Sequence, residues 1–296
     1  MIKATCFGEI LWDVFPTHKK IGGAPLNVAI RLASMGNEVG IISRVGKGKK
    51  GKQLIQFLNE NAVATLAVQI DEQYKTGKVK VTLDEKGSAY YDIMQPRAWD
   101  NIQLTDAAIT LVKEADIFIY GSLASRNEVT ANTLNELLKF ANYKIFDVNL
   151  RQPHYTAAVL ENLLVQADFI KFNDDEIYEV ATLLGSTDQS FDHNILFIAE
   201  KTKAKCICVT RGSQGAVLYI DSTFYYNSGY HVEVVDTVGA GDSFLATITS
   251  KLMNNDDPQE AIDHACAIGA LVASREGANP VITAEDITNL IGTSTL

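Results

Sequence analysis

Short runs rich in β-branched and aromatic residues alternate with amphipathic stretches along most of the chain. The strand-like runs are IKATCFGEI, EVGIISRV, DIFIYGS, KIFDVNL, FIKFN and KCICVTRG. Between them, LNVAIRLASMG, GKQLIQFLNENA, TANTLNELLKFANY and AVLENLLVQA repeat apolar residues at helical spacing. The last third ends in two further helical stretches, DSFLATITSKLMN and PQEAIDHACAIGALVASRE. Alternation of this kind predicts an α/β fold, a parallel sheet with helices on both faces. One segment breaks the rhythm. From Ala64 to Met94 there are only strand signals: TLAVQID, KTGKVKVTLD, a DEKG turn and SAYYDIM. Val79, Val81 and Leu83 alternate with Lys80 and Thr82, the pattern of a half-exposed antiparallel strand. This excursion reads either as a lid over a site that excludes water or as an ordinary edge hairpin.

Composition narrows the function classes. With 296 residues, 47% of them hydrophobic, the chain can bury a core without metals or disulfides. Its net charge of −10 argues against a nucleic-acid partner, which needs basic surface. Glu9 and Asp13 interrupt the first apolar run, so no signal peptide is expected there. The longest apolar stretch, ACAIGALVA, is well short of the roughly 18 residues that span a membrane. Cys6, Cys206, Cys208 and Cys266 lie scattered, and no second pair or nearby histidine completes a metal site with Cys206 and Cys208, which predicts buried core residues in a reduced, cytoplasmic protein.

Two glycine-rich loops compete for phosphate binding. RVGKGKKGKQ at 44–53 satisfies G-x-G-x-x-G and nearly satisfies G-x-x-x-x-G-K. It lacks the Ser or Thr that follows the lysine of a triphosphate loop, having Gln53 there, and a complete strand–loop–helix unit precedes it. It is expected to be a bystander, its lysines a solvated turn. VVDTVGAGDSF at 234–244 fits neither pattern but joins the apolar run YHVEVV to an amphipathic helix. Small residues at Gly239, Ala240 and Gly241 let their N–H groups converge at the helix N-terminus as an anion hole. Asp242 in the first turn is either a favourable helix-end charge or a base beside the anion, able to deprotonate a hydroxyl attacking a γ-phosphate.

DTVGAGDSF resembles the C-terminal motif of the ribokinase-like (PfkB-type) sugar kinases. GGAPLNVA at 22–29, NDDE at 173–176 and TRGSQG at 210–215 are similar to other landmarks of that family, in the same order, so the likeness covers about residues 2–290. It implies a single three-layer αβα kinase domain over 1–296 with a mostly parallel sheet and a small β lid from residues 11–20 and 65–98. By position, it implies Asp242 as general base and Gly239, Ala240 and Gly241 as the anion hole. It gives Asp13, Gly22, Gly23 and Asn27 to sugar hydroxyls, and Arg151 to substrate or phosphate contact, with a buried structural ion as the other reading. Thr210, Gly212, Gly215 and Asn173 would line an ATP site. Glu176 would organise Mg²⁺ through water, although N-x-x-E is equally a helix capping box. Asp236 and the carbonyl of Val238 would hold a monovalent cation such as K⁺. Among subfamilies, GEILWDVFP, GGAPLNVA and DVNLR look most like fructokinases, with ribose, 2-keto-3-deoxygluconate, another hexose or a nucleoside as other substrates. Relatives of this type pair through their lids, so a homodimer is one expectation. The chain departs from the pattern at Lys47, Lys49 and Lys50, where acids are usual, at Cys266, where Asn is common, and at Arg97, which has no family counterpart. Rival classes are an NAD-binding dehydrogenase using the first loop and a sugar-binding sensor without catalysis.

Overall fold

Apolar residues of the central strands alternate between two faces, and each face is covered by its own set of helices. The computed structural model describes residues 1–83 and 89–293. The DEKG turn at 84–87 lies outside the described residues. The strands are β1 (Lys3–Phe7), β2 (Leu11–Val14), β3 (Lys19–Gly22), β4 (Glu38–Gly46), β5 (Val63–Ala64), β6 (Val68–Asp71) and β7 (Gly77–Leu83). They continue with β8 (Ala89–Ile93), β9 (Ile117–Gly121), β10 (Lys144–Asp147), β11 (Phe169–Asn173), β12 (Cys206–Thr210), β13 (Ala216–Ile220) and β14 (Thr223–Asn227). The helices are α1 (Ala24–Ser34), α2 (Lys49–Glu60), α3 (Asp106–Glu114), α4 (Glu128–Leu138) and α5 (Ala157–Leu164). After them come α6 (Asp174–Leu183), α7 (Phe191–Thr202), α8 (Ala240–Met253), α9 (Pro258–Ala273) and α10 (Ala284–Thr293).

The large sheet runs β14-β13-β12-β11-β10-β9-β1-β4-β5, with β6 also paired to β4. From β12 to β4 every pairing is parallel; β13 and β14 close one edge as an antiparallel hairpin. That hairpin turns through Asp221 and Ser222, both at positive φ, as a two-residue hairpin turn requires. Cys6, Ile41, Ile119, Ile145, Phe169 and Cys208 point to the face covered by α1, α2, α8 and α9. Phe7, Ile42, Phe118, Tyr120, Phe146 and Phe172 point to the face covered by α3 to α7. Each such buried side chain contributes on the order of 1.5–3 kcal/mol. All four cysteines are buried and free, as their scatter predicts.

A separate sheet, β3-β2-β7-β8, carries the lid. β2 pairs parallel with β7, and the outer pairings are antiparallel. Two sequence expectations change. The run TLAVQID, assigned to the lid within 65–98, instead supplies β6, whose Val68 to Asp71 pair with Ser43 to Gly46 of the large sheet. Its alternating apolar residues suit the edge of either sheet, and the β4 edge takes them. The run YHVEVV is not a strand: the Val235 and Asp236 amides donate to the Ala273 carbonyl at the end of α9 (2.8 and 3.1 Å). Val234 and Val235 stay exposed because that segment borders a cavity instead of joining a sheet.

Candidate active site

The parallel strands end on one side of the sheet, and Asp147, Asn173 and Thr210 sit at the ends of β10, β11 and β12. Crevices outside the carboxyl ends of such strands are where α/β sheets bind ligands. The N-terminus of α8 faces the same region. Its cap, Gly239, has φ 79°, and a Cβ there would come within 2.5 Å of the Ala278 carbonyl oxygen. Only glycine fits this turn. Beyond it, the first-turn amides of α8 lack helical acceptors, as expected of a helix N-terminus that faces an anion, although the Ala240 amide donates to the Thr237 carbonyl at 3.3 Å.

Asp242 stands in that first turn. Its Oδ2 accepts from Asn27 Nδ2 at 2.8 Å, and Asn27 Oδ1 accepts from Asn279 Nδ2 at 2.9 Å. Helix α1 is held against α8 nearby by Arg31, which donates to Ser243 Oγ and to the Pro280 carbonyl. Burial pushes the Asp242 carboxyl up to about 6, with the Asp147 charge adding to it; the Asn27 hydrogen bond, Lys171 and Arg151 pull the other way. Sequence reasoning passed over both Asp147 and Lys171. Lys171 Nζ lies 3.0 Å from Asp147 Oδ1, and both side chains are buried. The Lys171 ammonium is also 3.5 Å from where a Cβ on Gly241 would sit, so it lies beside the anion hole. Burial alone would lower its pKa, but Asp147, Glu176 and Asp242 hold it up at about 12, fully charged.

Asn173 and Glu176 form the capping box of α6. Asn173 Oδ1 accepts from the Glu176 amide and Glu176 Oε2 from the Asn173 amide, both at 2.8 Å, while Glu176 Oε1 accepts from the Leu150 amide at 2.8 Å. Burial raises the Glu176 pKa and Lys171 opposes it. Each carboxylate oxygen keeps a second lone pair, which suits a water-mediated approach to a metal better than direct ligation. Among the described residues no cluster of His, Cys, Asp and Glu forms a protein-only metal site.

A cavity of about 450 Å³ opens beside the α8 N-terminus, in the usual size range for small ligands. Thr210, Gly212 and Gly215 line one wall, Phe244 and Cys266 another, and it runs down to Ala240 and Gly241. Gly215, at φ 79°, packs so tightly that a Cβ would come within 2.1 Å of the Asn227 carbonyl oxygen. On the other side of Asp242 lie the residues of β2, β3 and the start of α1. A Cβ on Gly22 would meet Asp13 Oδ2 at 2.3 Å, and one on Gly23 would meet the Glu9 carbonyl oxygen at 2.5 Å. Burial raises Asp13 to about 6, with Lys20 pulling it down. Glu9, also missed in the sequence, is buried; its Oε1 accepts from the Ala24 amide at 3.2 Å, and burial lifts it to about 7. Arg151 is exposed, donates to the Leu150 carbonyl and lies close enough to lower the pKa of both Glu9 and Asp242. Asp236 is engaged by Lys20 of β3 at 3.1 Å and by the amides of Val238 and Gly277.

The loop RVGKGKKGKQ has a packing role. A Cβ on Gly46 would come within 2.7 Å of the Tyr74 carbonyl oxygen, and one on Gly51 within 2.1 Å of the Gly46 carbonyl oxygen. Thr76 Oγ1 accepts from the Gly46 amide, and the Lys50 carbonyl accepts from Trp12 Nε1. Lys47 pairs with Glu72. These glycines let α2 lie against the connection into the lid, and none of them lines the cavity at α8.

Comparison with known proteins gives the family and the fold. The model of the pfkB family carbohydrate kinases matches residues 3–284. A probable chloroplastic fructokinase-6 of Arabidopsis thaliana is 31% identical, over 95% of this chain and 80% of its own length. The fructokinase of Xylella fastidiosa, solved with bound ATP, superposes with a TM-score of 0.86 at 24% identity, each chain covered in full. A double-mutant fructokinase of Vibrio cholerae, solved with fructose, ADP and a potassium ion, gives 0.84 at 23% identity, covering 98% of each chain. The fold is ribokinase-like, and the chain belongs to the pfkB family of carbohydrate kinases.

Proposed function

We propose that the protein transfers the γ-phosphate of ATP to the primary hydroxyl of D-fructose, giving fructose 6-phosphate, with Asp242 as the base. The observation that carries this reading is the position of Asp242: a half-buried carboxylate with its pKa raised to about 6, in the first turn of α8, next to Gly241 of the cavity wall and hydrogen-bonded to Asn27 of α1. A carboxylate beside a bound phosphate is repelled by it, and its presence makes sense if it must accept a proton. The cavity walls at Thr210, Gly212 and Gly215 take the nucleotide, with Asn173 at the end of neighbouring β11. Asp13, Gly22, Gly23, Asn27 and Arg151 take the sugar. The hydroxyl loses its proton to Asp242 and attacks in line, while the amides of Gly239 to Gly241 and the Lys171 ammonium offset charge on the transferring group. Glu176 would hold Mg²⁺ through water, and the ion would supply charge neutralisation on the phosphates. Fructose is favoured because a relative 31% identical bears the fructokinase name. The buried, unpaired cysteines suit a cytoplasmic setting.

A panel of sugars with ATP, read by ADP release and by the mass of the product, tests the assignment. Fructose should give the highest kcat/KM and a phosphate on its primary hydroxyl. Preference for ribose or 2-keto-3-deoxygluconate would replace the substrate, and absence of any sugar-dependent ADP would remove the reaction.

A further inference from the structure

The lid strand β3 sends one cation across to the loop that precedes the anion hole. Lys20 Nζ lies 3.1 Å from Asp236 Oδ2, with Glu276 Oε1 further off at 3.9 Å. The same carboxylate accepts from the Val238 amide through Oδ1 at 3.1 Å and from the Gly277 amide through Oδ2 at 3.3 Å. A monovalent cation placed at Asp236 and the Val238 carbonyl would need the charge of this carboxylate. The donor set does not fit a free ion well: one oxygen already faces an ammonium, and a second cation there would be repelled. A lysine ammonium is a compact point charge with three donors, the nearest protein equivalent of such an ion. Lys20 is also in register with Asp13 and two residues before Gly22, so this charge sits on the strand assigned to the sugar.

We propose that Lys20 is the resident cation of the phosphate loop, its ammonium standing in for potassium at Asp236, so that turnover needs no free monovalent ion. The proposal rests on the kinase reading above, since turnover is one of its readouts. The test uses the full chain in tetramethylammonium chloride, with KCl exchanged in at constant ionic strength. Wild-type turnover and melting temperature should stay within about twofold and about 1 °C, since Lys20 already pairs with Asp236. Lys20→Met should lose at least about tenfold in turnover, the low end for one charge-assisted hydrogen bond. Potassium should restore most of that loss and raise the melting temperature of the variant. The double variant Lys20→Met/Asp236→Asn should lose the potassium response. Stimulation of the wild type by potassium of about tenfold or more would overturn the proposal. So would a Lys20→Met variant that turns over normally without potassium, or one that potassium cannot rescue. If no sugar is phosphorylated at all, the kinase reading fails while the melting arms still decide the cation question; if Lys20→Met does not fold, the wild-type potassium response decides it.

Discussion

Asp242, Lys171 and Asp147 form a group of alternating charge, and the order of their effects sets the behaviour of the base. Asp242 has a pKa of about 6, above its ordinary 3.8, first because of burial and then because of Asp147. A base must be unprotonated, so kcat/KM should fall as pH drops through about 6. Asp147→Asn removes a charge that raises this pKa and leaves Lys171 without its partner, which lowers it further. The acid limb should therefore move to lower pH, measured as a pH–rate profile. A limb that stays in place would mean that Asp147 does not act on Asp242. Lone charges within apolar strand runs, Lys171 in FIKFN and Asp147 in KIFD, were the visible trace of this network. Their pairing was not legible, because it joins neighbouring strands 24 residues apart in sequence. Lys20 and Glu9 were hidden for the same reason: their partners come from the α8 loop and the start of α1.

At the scale of elements, the α/β alternation and the lid hairpin were legible because each strand and helix keeps its own period. The edges were not. TLAVQID carries a strand pattern that fits either sheet, and YHVEVV carries one that the Ala273 carbonyl diverts. The first loop matches a phosphate pattern, yet its glycines serve close packing beneath the lid connection. Lys52→Ala should therefore leave ATP turnover within about threefold of wild type. A triphosphate-loop lysine would cost far more, on the scale of charged hydrogen bonds to an anion; a hundredfold loss would restore that loop as the nucleotide site. The lid makes a separate prediction. Leu11, Val79 and Val81 bury one another with Phe15 and Ile93, and Asp13 extends from the same strand as Leu11. Replacing residues 78–92 by a short linker should raise the sugar KM and the ratio of ATP hydrolysis to transfer, because water then reaches the γ-phosphate. Unchanged values would make the second sheet an edge ornament with no part in the reaction.

Across the whole molecule, two sheets and two layers of helices converge on one carboxylate at the N-terminus of α8, and that site stands against stability. Asp242 has its pKa raised to about 6 in the fold, so between its ordinary 3.8 and about 6 the native state binds more protons than the unfolded chain. Stability then falls as pH rises through that window and stays lower above it. Removing the charge should relieve this cost, on the order of 1–3 kcal/mol. The most direct measurement of the central claim is therefore the single-turnover rate and the melting temperature of Asp242→Asn, both at pH 8. The rate of phosphoryl transfer to fructose should fall at least about a hundredfold, the usual scale of general-base assistance, with ATP binding kept. The melting temperature should hold or rise. Transfer at the wild-type rate would contradict Asp242 as the base, and a variant that melts well below the wild type would make it a structural charge of the α8 terminus.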